Sequence, residues 1–140
     1  MLKRRKNILI LTLTIILLFA IVFFLFTENY AGQTFIRGAE IQVEVSRRKI
    51  TDKEKIEKIA SLVKQAEKDR HGAARRFEYS LMKKEDRIGA SLVLSQPSFN
   101  RSARWTVWSH PDENVTYLHT GDEEGFVTSH ELIDLIKEQE

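Results

Sequence analysis

The segment from Thr120 to Glu131, TGDEEGFVTSHE, is the densest set of oxygen donors in the chain. Asp122, Glu124, the Phe126 carbonyl, Thr128 and Glu131 are spaced around Gly125, which stands where a cation-wrapping loop must turn sharply. Oxygen donors in that arrangement suit a hard cation, calcium above all. The next residues carry a second pattern: His130, Glu131 and Asp134 place two ligand types one helical turn apart with a glutamate between them. That is the spacing of a zinc hydrolase, but Asp134 stands where the second histidine belongs and no third ligand is evident. His71, His110 and His119 are scattered. Nucleophilic chemistry has still less to draw on, since the chain has no cysteine and no GxSxG elbow, and its 6 glycines form no phosphate-cradling loop. The chain is therefore expected to lack enzymatic activity and a cofactor.

These donors must be positioned by whatever precedes and follows them. Leu132, Ile133, Leu135 and Ile136 give an apolar face to a closing helix, so the loop resembles that of EF-hand proteins with its exiting helix. The resemblance implies calcium ligation by Asp122, Glu124, Thr128 and Glu131. Two departures weigh against it: Thr120 occupies the position of the first aspartate, and Val115–His119 reads as a strand where an entering helix belongs. The same residues also read as a polar turn followed by a capping box, Thr128 with Glu131, and that reading is favoured.

The N-terminal region bounds where any such chemistry takes place. Ile8–Phe26 is an unbroken apolar run in which only Thr12 and Thr14 are polar. As a helix it is about 28 Å long, close to the ~30 Å core of a bilayer. It is expected to be a retained transmembrane helix, since a cleaved signal has a shorter apolar region and small residues before the cut. Without cysteine a lipoprotein anchor is closed. Lys3, Arg4, Arg5 and Lys6 precede the run, so the tail 1–7 is expected in the cytoplasm and the remainder of the chain outside it. The net charge of +2 includes those four cations. Without them the balance turns slightly acidic, and no nucleic-acid field is implied. An exported domain without disulfides points to a bacterial envelope.

Residues 27–38 read as a short juxtamembrane linker and 39–140 as one domain. Ile41, Val43 and Val45 alternate with polar neighbours as in a half-buried strand. Thr51 and Glu54 form a capping box, and Ile56, Ile59, Ala60, Val63 and Ala66 line one face of a helix of about five turns that ends near Gly72. Phe77–Leu81 and Ile88–Leu94 are expected to pair as a hairpin about the turn Lys83–Arg87. Ala103–Ser109 and Val115–His119 are expected to pair as a second. The predicted fold is α+β: an antiparallel sheet of about five strands with two helices packed on one face. Trp105 and Trp108 fall on opposite faces, so one of them is expected to be exposed, covered by a loop, or packed across strands.

The helix opening ITDKEKIEKI at Ile50–Ile59 and the closing EGFVTSHELIDLI at Glu124–Ile136 resemble the small membrane-anchored and lipoprotein extracytoplasmic domains of unknown function in Gram-positive bacteria. The resemblance carries over no functional residue. The expected role is a non-enzymatic module binding another envelope protein, through a basic surface of Lys83, Lys84, Arg87, Arg101 and Arg104 with Trp108. The alternative is a sensing domain for a ligand or divalent cation, using the Thr120–Glu131 donors.

Overall fold

The structure, a computed structural model, describes residues 1–69, 88–109, 114–120 and 125–139. Helix α1, Leu2–Phe26, is long and apolar enough to cross a membrane, and none of its residues is buried. Thr12 and Thr14 donate to the carbonyls of Ile8 and Ile10, each at 2.8 Å, so their hydroxyls stay within the helix.

The chain leaves α1 directly into a strand. β1 (Thr27–Tyr30) and β2 (Gln33–Ile36) form a two-stranded antiparallel hairpin where the sequence suggested a linker. Its two-residue turn has Ala31 at φ 45° and Gly32 at φ 84°, the left-handed pair that matches strand twist. The Asn29 side chain accepts from the Gly32 N–H at 3.0 Å and closes that turn. Tyr30, Ala31 and Phe35 are buried in the main core. Burial of that apolar trio is what draws these residues into the domain.

The large sheet is antiparallel, with strand order β4-β3-β6-β7-β8-β9-β5. Its strands are β3 (Gln42–Val45), β4 (Arg48–Lys49), β5 (Glu67–Lys68), β6 (Ile88–Gln96), β7 (Arg101–Ser109), β8 (Val115–His119) and β9 (Gly125–Ser129). The described residues thus hold seven strands plus the hairpin rather than five. The α+β class and the β7–β8 hairpin, with Trp108 opposite Tyr117, agree with the sequence reading. β6 pairs with β3 and β7; its expected partner Phe77–Leu81 lies outside the described residues. Both sheet edges are two-residue strands of charged side chains, which discourages pairing with another chain.

Helix α2 (Lys53–Lys64) is shorter than the five turns expected, because Glu67 and Lys68 turn to pair with Val127 and Phe126. Those ladder bonds, and Asp69 N–H to the Gly125 carbonyl at 2.8 Å, satisfy backbone groups at the edge of β9. The N-cap is Asp52, whose side chain accepts from Glu54 N–H at 3.0 Å, one residue after the Thr51 expected. Helix α3 (Glu131–Lys137) buries Leu132, Ile133, Leu135 and Ile136 as its periodicity required. These helices and the hairpin cover one sheet face, where Val43, Val45, Leu92, Leu94, Trp105, Val107 and Leu118 form the core. A smaller cluster on the other face joins Trp108 and Tyr117 with Val115 and Val127.

Candidate functional site

At the junction between α1 and the sheet, side chains of several elements converge. Glu28, the second residue of β1, is set there by its place in the hairpin ladder, and its side chain is only 13% exposed. Lys64, in the last turn of α2, donates to Glu28 Oε1 at 2.9 Å, and the Arg37 guanidinium stands 3.5 Å from the same oxygen. The Tyr30 hydroxyl donates to Oε2 at 3.0 Å. The Lys64 hydrogen bond holds the Glu28 carboxyl below its ordinary range; burial opposes it, while Tyr30 and the two cations add to the lowering. Burial, then the Glu28 carboxylate, pushes the Tyr30 phenol up to about 12.

A second set of bonds fastens the hairpin to the sheet. Gln96, at the inward-facing end of β6, is fully buried. Its amide accepts from the Ile36 N–H and donates to the Ile36 carbonyl, both at 2.8 Å, so a side chain completes the ladder where no strand adjoins β2. Arg101 donates to the Thr34 carbonyl at 3.0 Å, and Trp105 Nε1 donates to Ala31 at 3.2 Å. The Phe126 ring packs where a Cβ on Gly32 would stand, 2.7 Å from Cζ. Arg37 N–H to the Phe26 carbonyl, 2.8 Å, extends the hairpin onto the end of α1. Chemically the arrangement is a clamp. It fixes the orientation of the domain at the end of the apolar helix, and no nucleophile–base pair stands within it.

Of the residues expected to bind a partner, the described ones divide between two faces of the sheet. Lys83, Lys84 and Arg87 lie outside the described residues. Arg101 turns inward to the hairpin, whereas Arg104 is exposed on the opposite face, aligned across the strands with Val93 and Glu44. Trp108 shares that face but is only 6% exposed, stacked on Tyr117 with ring centroids 4.4 Å apart. It is the cross-strand packing partner of the expected alternatives, not an open contact.

Of the expected cation ligands, Asp122 and Glu124 lie outside the described residues. Thr128 sits in β9, 8% exposed, where its hydroxyl donates to the Leu62 carbonyl at 2.8 Å. Residues 125–129 of the expected loop form a strand, and Thr128 does not cap the helix that follows. Glu131 instead pairs with Lys58 at 3.0 Å, and its N–H is capped by Ser129 at 3.3 Å. His130 and Asp134 contact each other at 3.3 Å. Among the described residues no three His, Asp or Glu side chains group as a metal site would need.

Sequence reasoning missed the Glu28 and Gln96 contacts, whose partners stand 36 and 60 residues away. For Gln96 one signal was available: it continues the inward series Ala90, Leu92, Leu94, and a polar side chain there must find partners. Compared with protein-family models, curated proteins and solved structures, nothing matches this chain.

Proposed function

We propose that this chain is a single-pass, membrane-anchored binding module, without catalysis of its own, whose domain works outside the cytoplasm on another envelope protein. The observation that carries this reading is the direct passage of an unburied apolar helix into a hairpin locked to the domain core. An apolar helix of this length that the domain does not cover calls for lipid. A domain attached without slack keeps one face towards its neighbours in the membrane and gains effective concentration for them. The exposed centre of the outer sheet face, Arg104 with Glu44 and Thr106, supports a polar, charge-steered contact. The basic residues Lys3–Lys6 favour a cytoplasmic N-terminus.

Crosslinking in intact cells followed by purification through a C-terminal tag tests this reading. One envelope protein recovered near one-to-one, retained when Ile8–Phe26 is replaced by an unrelated membrane span and lost with Arg104→Glu, is the expected result. Recovery that disappears on replacing the span would move the contact into α1. No specific protein under either condition would remove the reading.

A further inference from the structure

Outside α1, Phe99 is the one large hydrophobic residue exposed among the described residues, at 52%. It stands at the tip of the β6–β7 connection, a 3-10 turn over Pro97–Phe99 with Pro97 at its start. Asn100 closes the turn in the left-handed conformation, φ 51°, and returns its N–H to the Pro97 carbonyl at 3.2 Å. Proline, a left-handed asparagine and two flanking strands leave this tip little freedom. A single exposed aromatic ring is ordinary on a protein surface and needs a reason to matter.

Its position supplies the reason. The Gln96 amide is bonded to Ile36, and the next residue, Arg37, is bonded through its N–H to the last residue of α1, Phe26. Two 2.8 Å bonds and one strand residue of about 3.3 Å therefore separate Gln96 from the end of the apolar helix. Its amide lies within about 10 Å of that end, comparable to the headgroup layer of roughly 5–8 Å that borders the apolar core. The turn begins at the next residue. Arg101 directly follows the turn and Arg37 directly follows Ile36; both residues are exposed, and the N–H groups they do not spend on Thr34 and Glu28 suit lipid phosphates.

We infer that the Pro97–Asn100 turn rests in the lipid headgroup layer of the bilayer that α1 crosses, with Phe99 seated at the headgroup–acyl boundary and Arg37 and Arg101 on phosphates. This rests on the membrane-anchored reading above. The domain then has two points of membrane contact, α1 and the turn, and its outer sheet face is held at a set tilt.

The absence of cysteine makes the test direct. The full chain, reconstituted in liposomes at low protein density, carries an environment-sensitive fluorophore at Ser98→Cys, and the lipids carry a nitroxide quencher near the top of the acyl chain. Leu17→Cys, at the middle of the apolar run of α1, reports insertion of the helix through a second nitroxide placed near the end of the acyl chain. Ser46→Cys, whose N–H bonds the Ser91 carbonyl five residues along β6 from Gln96, reports bulk water. Quenching at Ser98 that approaches that at Leu17, and falls at least threefold on adding Phe99→Ser, is expected; Ser46 stays unquenched. Phe99→Ser should leave the circular dichroism and melting of the domain unchanged. Quenching at Leu17 with none at Ser98 overturns this inference and leaves the anchor standing. No quenching at Leu17 overturns both. Ser98 shielded from water but untouched by the lipid quencher assigns Phe99 to a protein contact and likewise overturns it.

Discussion

Replacing Gln96 should loosen the whole junction between helix and domain. Gln96→Met keeps nearly the same volume at a fully buried position but abolishes both 2.8 Å bonds to Ile36. The Ile36 N–H and carbonyl are then left without partners in a partly buried place, where each orphan costs about 1–3 kcal/mol. Ile36 is half-buried, so water relieves part of this and the lower half of the range applies, about 2–4 kcal/mol in all. For a domain of this size about 4–8 °C of melting temperature follows each kcal/mol, so a fall of roughly 8 °C or more is expected. Near-ultraviolet circular dichroism of the full chain in micelles, read in the tryptophan bands, follows it, because Trp105 is bonded to the hairpin at Ala31 and α1 has no tryptophan or tyrosine. Gln96→Glu adds a pH signature. A protonated carboxyl can accept from the Ile36 N–H and donate to its carbonyl, whereas a carboxylate only repels that carbonyl. Folding therefore raises the pKa of this new acid above its ordinary value of about 4.3. Its stability is present below that value and lost as pH rises through the folded pKa. A melting temperature for Gln96→Met within about 2 °C of the parent would refute the clamp.

Gly32→Ala should destabilise by about 2–4 kcal/mol in urea unfolding, because a Cβ there meets the Phe126 ring at 2.7 Å and φ is 84°. Arg47→Gly should stabilise by about 1 kcal/mol in the same assay, since Arg47 holds φ 70° in the β3–β4 turn. Glu28→Gln should cost about 1 kcal/mol or less, as expected of a pair whose cations are half-exposed. The folded Glu28 pKa is depressed, so its contribution is present above the ordinary 4.5 and lost as pH falls below it, visible as a melting difference between pH 7 and pH 3.5 that Glu28→Gln removes. Tyr30 has the opposite sense. Its folded pKa is raised, so its contribution is present below pH 10 and lost between 10 and about 12, and ultraviolet titration should show a late-ionising component that Tyr30→Phe removes and Glu28→Gln brings earlier.

Periodicity carried much of this fold. Alternation placed β3, β6 and β7, and the apolar spacing of Leu132, Ile133, Leu135 and Ile136 placed α3, because each element buries one face of regular period. Where period and turn chemistry were both weak, the sequence was silent. The hairpin after α1 turns on Ala31–Gly32, and alanine gives no sign of a left-handed φ; only Asn29 and Gly32 hint at it. β9 looked like a loop because Gly125 reads as a turn residue and Thr128 as a helix cap, yet pairing with β8 and β5 draws the segment into the sheet. The lysine–glutamate pattern of α2 continued past Lys64, but edge pairing at Glu67 and Lys68 diverted the backbone. The Glu28–Lys64 contact depends on how a hairpin and a helix pack, which no local pattern encodes.

The most direct test of the central claim, a domain fixed outside the cytoplasm by an uncleaved α1, is cysteine labelling in intact cells. The account predicts that Glu138→Cys reacts with a membrane-impermeant maleimide before lysis, Leu2→Cys only after it, and that both remain in the alkali-washed membrane fraction. Labelling of Leu2 from outside, or release of a shortened chain that lacks α1, would contradict it.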